Sequence, residues 1–80
     1  MLSAIIVDDE KGASQALSNI IQAKCQNIKI VAVAHSVSKA MHAIESLKPD
    51  IVFLDIQLRN ESGFDLLEKI KTRNFEVVFV

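Results

Sequence analysis

Four acidic side chains stand where two apolar runs end. Asp8, Asp9 and Glu10 follow Ala4-Ile5-Ile6-Val7, and Asp55 follows Ile51-Val52-Phe53-Leu54. Carboxylates held close together repel one another, so a cluster that persists either keeps protons on some members or neutralises them with a cation. Magnesium suits the second case: it takes hard oxygen ligands in octahedral geometry, keeps several waters, and is usually held by one or two carboxylates with a phosphate completing the shell. Asp9 and Asp55 are read as direct ligands, Asp8 as direct or through water, and the backbone carbonyl of Gln57 as a further oxygen. A carboxylate in such a setting can also act as a nucleophile, forming an acyl phosphate once a metal offsets its repulsion from an incoming phosphoryl group. Asp55 is the candidate. It stands alone after its run, whereas Asp8 and Asp9 are adjacent and on an extended chain would point to opposite sides. Taken singly, each acid reads better as a helix cap, loop or turn residue; their shared position after apolar runs is what favours chemistry.

For these acids to meet, the two runs must be neighbouring strands pointing the same way, and the pattern between them supports this. Residues 4–7 form a short continuous apolar run, as in a strand covered on both faces. Residues 10–24 repeat apolar side chains at helical spacing through Ala13, Leu17, Ile20 and Ile21. Residues 28–34 are β-branched and alternate weakly, as a strand near a sheet edge would. Ser36 is placed to cap a second helix with Val37, Ala40, Met41, Ile44 and Leu47 as its buried stripe, and Pro49 ends it. Residues 51–54 are the most apolar strand candidate and should be central. Ser62 with Asp65 resembles a capping box opening a third helix whose stripe is Phe64, Leu67 and Ile70, and residues 75–80 read as a fourth strand.

The resulting order, β-α-β-α-β-α-β, predicts a parallel sheet with right-handed crossovers and helices on both faces. In such sheets ligands bind beyond the C-terminal strand ends, where the strand order reverses. Those ends carry Asp8, Asp9 and Asp55.

Composition narrows the class. Eighty residues make one domain at most, and with half of them apolar a small core is possible. Cys25 is the only cysteine, which excludes an intrachain disulfide and fits a reducing cytoplasm; a partly buried position late in a helix is expected for it. The net charge of −1 and the scattered lysines and arginines make this segment a poor nucleic-acid binder by itself. Residues 2–7 lack a preceding basic residue and are too short for a signal peptide or a membrane span.

Three motifs in order carry a family resemblance over the whole chain. Ile6-Val7-Asp8-Asp9-Glu10, then residues 48–56 (Lys-Pro-Asp-Ile-Val-Phe-Leu-Asp-Ile), then Ser62-Gly63-Phe64-Asp65-Leu66-Leu67 resemble the receiver domain of bacterial two-component response regulators. Leu54-Asp55-Ile56-Gln57-Leu58 followed by Gly63-Phe64-Asp65 is most similar to receivers that precede a LytTR-type DNA-binding domain. The resemblance implies a flavodoxin-like three-layer α/β/α fold, truncated here to about four strands and three helices in the order 2-1-3-4. It implies that Asp55 accepts a phosphoryl group from a sensor histidine kinase, that Asp8 and Asp9 with Asp55 bind Mg2+, and that the Gln57 carbonyl completes the protein ligands. Gly63 would shape the loop before the third helix. The chain is then a cytoplasmic phosphoacceptor module rather than an enzyme, with self-catalysed transfer and hydrolysis in its parent, and it controls an output domain outside residues 1–80, expected to bind DNA.

Two departures accompany the resemblance. The proline common shortly after the phosphoacceptor is absent, with Leu58-Arg59-Asn60-Glu61 in its place, and the Ser/Thr after the fourth strand and the Lys ending the fifth would lie past Val80. Residues 75–80 would then form an apolar edge open to strand pairing, so residues 1–80 are expected either to be a piece of a longer protein or to associate through that edge. Two other readings compete. A haloacid-dehalogenase-like phosphatase also uses a strand-end Asp, but needs a second Asp where Gln57 stands. A pseudo-receiver would keep the fold as an interaction module without phosphotransfer; the full acidic set disfavours this for the parent protein, whereas the stop at Val80 favours it for residues 1–80 alone. His35 and His42 read as surface or boundary residues, and Met41, Ile44 and Leu47 as core.

Overall fold

The computed structural model describes residues 1–55, 66, 68–69 and 74–80. Its elements are β1 (Leu2–Val7), α1 (Lys11–Lys24), β2 (Ile28–Ala34), α2 (Val37–Leu47), β3 (Ile51–Leu54) and β4 (Glu76–Phe79). All neighbouring strands run parallel, in the order β2-β1-β3-β4, as expected. Chain order reverses at β1: the first crossover leads to β2 on one side of it and the second to β3 on the other.

β1 is central, and its residues explain why. Ala4, Ile5, Ile6 and Val7 are all fully buried, so successive side chains, which point to opposite faces, both find cover. Ile5 and Val7 join Val52 and Leu54 of β3, Val37, Ala40 and Ile44 of α2, and Leu66 in one core. Ala4 and Ile6 face the other way, toward α1, whose contacts are with β1 and β2. The sheet therefore lies between α1 on one face and α2 with Leu66 on the other. Burying each of these Ile, Val and Leu side chains contributes about 1.5–3 kcal/mol.

α2 begins and ends where the sequence indicates. The Ser36 hydroxyl accepts a hydrogen bond from the Lys39 amide at 3.2 Å, satisfying one of the first-turn N–H groups. At the other end Lys48 adopts a left-handed conformation (φ 48°), donates its amide to Ile44, and hands the chain to buried Pro49. Val37, Ala40 and Ile44 are buried and Met41 packs against the core, but Leu47, expected in the stripe, is half exposed.

α1 differs more from expectation. Ser14 and Ile21 are its buried residues and Leu17 is half-buried, while Ala13 and Ile20 face solvent. The helix is thus rotated about one residue from the apolar stripe. A serine can take the buried position because its hydroxyl donates to the carbonyl of Lys11 at 2.9 Å. Cys25 follows as the half-buried C-terminal cap.

The third helix expected after Ser62 falls mostly outside the described residues, as do Ser62, Gly63, Phe64, Asp65, Leu67 and Ile70. Of its span, Leu66, Glu68 and Lys69 are helical, and Leu66, absent from the expected stripe, is fully buried in the core. At the far side of the described sheet, β4 and the residues flanking it keep Phe75 and Val77 against the core and expose Val78, Phe79 and Val80. Among the described residues no helix is long and apolar enough to cross a membrane.

Register is fixed at both ends of the strands. Where β1 and β3 begin, the Asp50 carboxylate accepts from the Ser3 amide at 2.8 Å and from the Ser3 hydroxyl at 3.2 Å, and the Asp50 amide donates to the Ser3 carbonyl at 2.9 Å. Where the strands end, the amide of the residue just past each one makes the last rung. Val80 donates to Leu54 (3.0 Å), Asp55 to Val7 (2.9 Å) and Asp8 to Ala34 (3.0 Å).

Candidate functional site

The parallel register pairs Val7 with Leu54, so the residues that follow, Asp8 and Asp55, leave the sheet side by side. Both backbones are held by the last rungs just described, and so their side chains start from fixed points. Asp9 comes from the bend that joins β1 to α1. One carboxylate oxygen from each of Asp8, Asp9 and Asp55 lies within 4.8 Å of the others. Asp8 is buried, and Asp9 and Asp55 are half-buried.

Asp8 and Asp9 were expected to diverge, as neighbours on an extended strand do. They converge because β1 stops at Val7 and the chain bends immediately after it. The bend is stabilised by Asp8 itself, whose Oδ1 accepts from the Glu10 amide at 2.9 Å. This Asx-type turn uses one oxygen of Asp8 locally and lets the chain enter α1, where Glu10 sits at the N-cap without a side-chain capping bond. The two acids keep different surroundings, with Asp8 turned inward and Asp9 nearer solvent.

The donor set fits a small hard cation. Three aspartates supply only oxygen, and one oxygen of each lies within 4.8 Å of the others, a cluster compact enough for one Mg2+ to draw together. Sulfur and imidazole ligands, which would favour zinc or copper, are absent from the cluster. Gln57 lies outside the described residues.

One neighbour of the cluster was missed in the sequence. His35, read as a surface or boundary residue, is half-buried, and its Nδ1 lies 2.8 Å from the Asp8 carbonyl oxygen. A carbonyl only accepts, so Nδ1 carries the proton and donates. The available signal was positional: His35 directly follows β2, the strand beside β1. His42 is exposed on α2, as expected.

Known proteins share this sequence and architecture. The response regulator receiver domain model matches residues 4–80. A response regulatory protein of Vibrio cholerae is 40% identical over 81 aligned positions, covering all of this chain and 34% of the relative. The sensory transduction protein LytT of Enterococcus faecalis is 46% identical over 69 positions, covering 86% of this chain and 28% of that protein. The chain thus spans about a third of the length of the curated relatives it matches. Among solved structures, a DNA-binding response regulator of the LuxR family from Staphylococcus aureus superposes with a TM-score of 0.88 at 30% identity, over 99% of this chain and 67% of that one. The response regulator domain of Thermotoga maritima CheB gives 0.87 at 28% identity, over 99% and 59%.

Proposed function

The chain belongs to the response regulator receiver domain family of two-component systems, and from that premise we propose that Asp55 accepts a phosphoryl group in a magnesium-dependent relay. The observation that carries this reading is the approach of Asp8, Asp9 and Asp55 to within 4.8 Å at the C-terminal ends of adjacent parallel strands. Asp55 follows β3, while Asp8 and Asp9 follow β1, so one acid can turn to an incoming phosphoryl group while the pair opposite holds the cation. An Asp55 carboxylate oxygen attacks phosphorus, the P–N bond to the donor histidine breaks, and the leaving imidazole nitrogen keeps the bonding electrons and takes up a proton. Magnesium held by Asp8, Asp9, Asp55 and the Gln57 carbonyl would neutralise charge on the transferring oxygens and offset the repulsion between phosphoryl group and carboxylate.

The donor in this reading is a sensor histidine kinase, the setting is the cytoplasm, and the phosphorylated state controls a DNA-binding output outside residues 1–80. The match to a DNA-binding response regulator and to the DNA-binding transcriptional activator EvgA of Escherichia coli supports the output. Self-association through residues 75–80 is a further part of the reading, supported by the exposure of Val78, Phe79 and Val80, and sedimentation at rising concentration tests it.

Mass spectrometry tests the central claim. Incubation with a small-molecule acyl phosphate and Mg2+ adds one phosphoryl group to the wild type, chelation prevents it, and Asp55→Asn accepts none. Labelling that survives Asp55→Asn overturns the assignment, and a wild type that binds Mg2+ without labelling points to a pseudo-receiver.

A further inference from the structure

We propose that His35 is a positioning residue for the acidic site, holding the turn that presents Asp8 and Asp9 through its hydrogen bond to the Asp8 carbonyl. The proposal rests on the reading of Asp8 and Asp9 as cation ligands.

Asp8 is held at three points. Its amide donates to Ala34 at 3.0 Å, its Oδ1 accepts from Glu10 at 2.9 Å, and its carbonyl accepts from His35 Nδ1 at 2.8 Å. The first bond belongs to the sheet and the second to the turn itself. The third joins the turn to the end of a different strand, 27 residues away in sequence. It lies where the β1–β2 ladder runs out, because the chain leaves β2 after Ala34 and Ser36 is committed to capping α2. A side chain therefore takes over as donor where further strand would have supplied an amide.

Asp8 is only 7% exposed, so loss of this donor leaves a buried carbonyl short of a partner. Water reaching that carbonyl would not tie the turn to the end of β2 as the imidazole does, so the turn loosens and Asp8 and Asp9 lose their fixed placement with it. Groups that orient ligands in this way typically change metal affinity by about 10–100-fold when removed. The requirement is for a donor at the Nδ1 position, not for imidazole as such. Asparagine places an amide N–H at a similar distance along the side chain and so serves as the conservative variant.

The test compares wild type, His35→Ala and His35→Asn by calorimetric Mg2+ titration, with urea unfolding as the control for general stability. His35→Ala should weaken Mg2+ binding by about 10-fold or more, while His35→Asn stays within about threefold of wild type. Equal affinity in wild type and His35→Ala, or equal losses in the two variants, overturns the proposal. If His35→Ala fails to fold, His35→Phe, which keeps a ring without the donor, carries the same expectation.

Amide exchange at Glu10 provides a second readout that does not involve the cation, since that amide is bonded to Asp8 Oδ1. It should speed up in His35→Ala and not in His35→Asn. A wild type that binds no Mg2+ would remove the cation reading, and the exchange comparison would then decide by itself whether His35 holds the turn.

Discussion

At the rim where β3 begins, the Asp50 carboxylate accepts two hydrogen bonds from Ser3; at the rim where β3 ends, Asp55 meets Asp8 and Asp9. Both aspartates flank the same strand, and both lie beside β1. Their partners differ in kind. Asp50 faces donors within the protein, and its charge is used to tie β3 to β1. Asp55 has two other carboxylates within 4.8 Å, and in the reading proposed above a cation offsets that concentration of negative charge.

Substitutions at the two rims should therefore separate affinity from stability. The largest effect is expected from Asp8→Asn combined with Asp9→Asn, which should weaken Mg2+ binding by about 100-fold or more while leaving the metal-free protein at least as stable, because like-charge repulsion is relieved. Calorimetric titration and urea unfolding on the same samples check both halves. Asp50→Ala should do the reverse, lowering stability by about 1–2 kcal/mol, since its partner bonds are charge-assisted but lie at an exposed position. Its Mg2+ affinity should stay within about twofold of wild type, a change near the resolution of the method. A loss of Mg2+ affinity in Asp50→Ala comparable to the acidic pair would break the distinction between the rims. Ser3→Ala removes the two long hydroxyl contacts, to the Asp50 carboxylate at 3.2 Å and from the Asp50 amide at 3.3 Å, and keeps the shorter backbone bonds, so a cost of about 0.5–1 kcal/mol by urea unfolding is the smallest expected effect.

The parts of this fold written most clearly in the sequence are those decided by a strand's own residues. Ile5 and Ile6 are adjacent, apolar and both fully buried, so a two-sided strand could be read directly from them, and the acids that follow were placed at its end. Which way a helix faces is less local. Ala13 and Ile20 looked like buried positions of α1, yet Ser14 is buried alongside the expected Ile21, because the helix takes its rotation from the β1–α1 turn and its docking rather than from hydropathy alone. The role of His35 was hidden for a similar reason. Its bond crosses from β2 to the end of β1, and only the register of those strands brings the two groups together. The convergence of Asp8 with Asp9 likewise depends on a bend that an extended-chain argument does not contain.

The last rungs of the sheet also form a continuous line. The Leu54 carbonyl and the Asp55 amide belong to one peptide group, and the Val7 carbonyl and the Asp8 amide to another, so the bonds from Val80 to Leu54, Asp55 to Val7 and Asp8 to Ala34 run through shared peptides. Their dipoles point the same way across the rim, and each bond polarises the next. Asp55 and Asp8 are therefore coupled electronically through a single intervening peptide group. A change in charge at one acid should register in the amide resonance of the other before any side chain has moved.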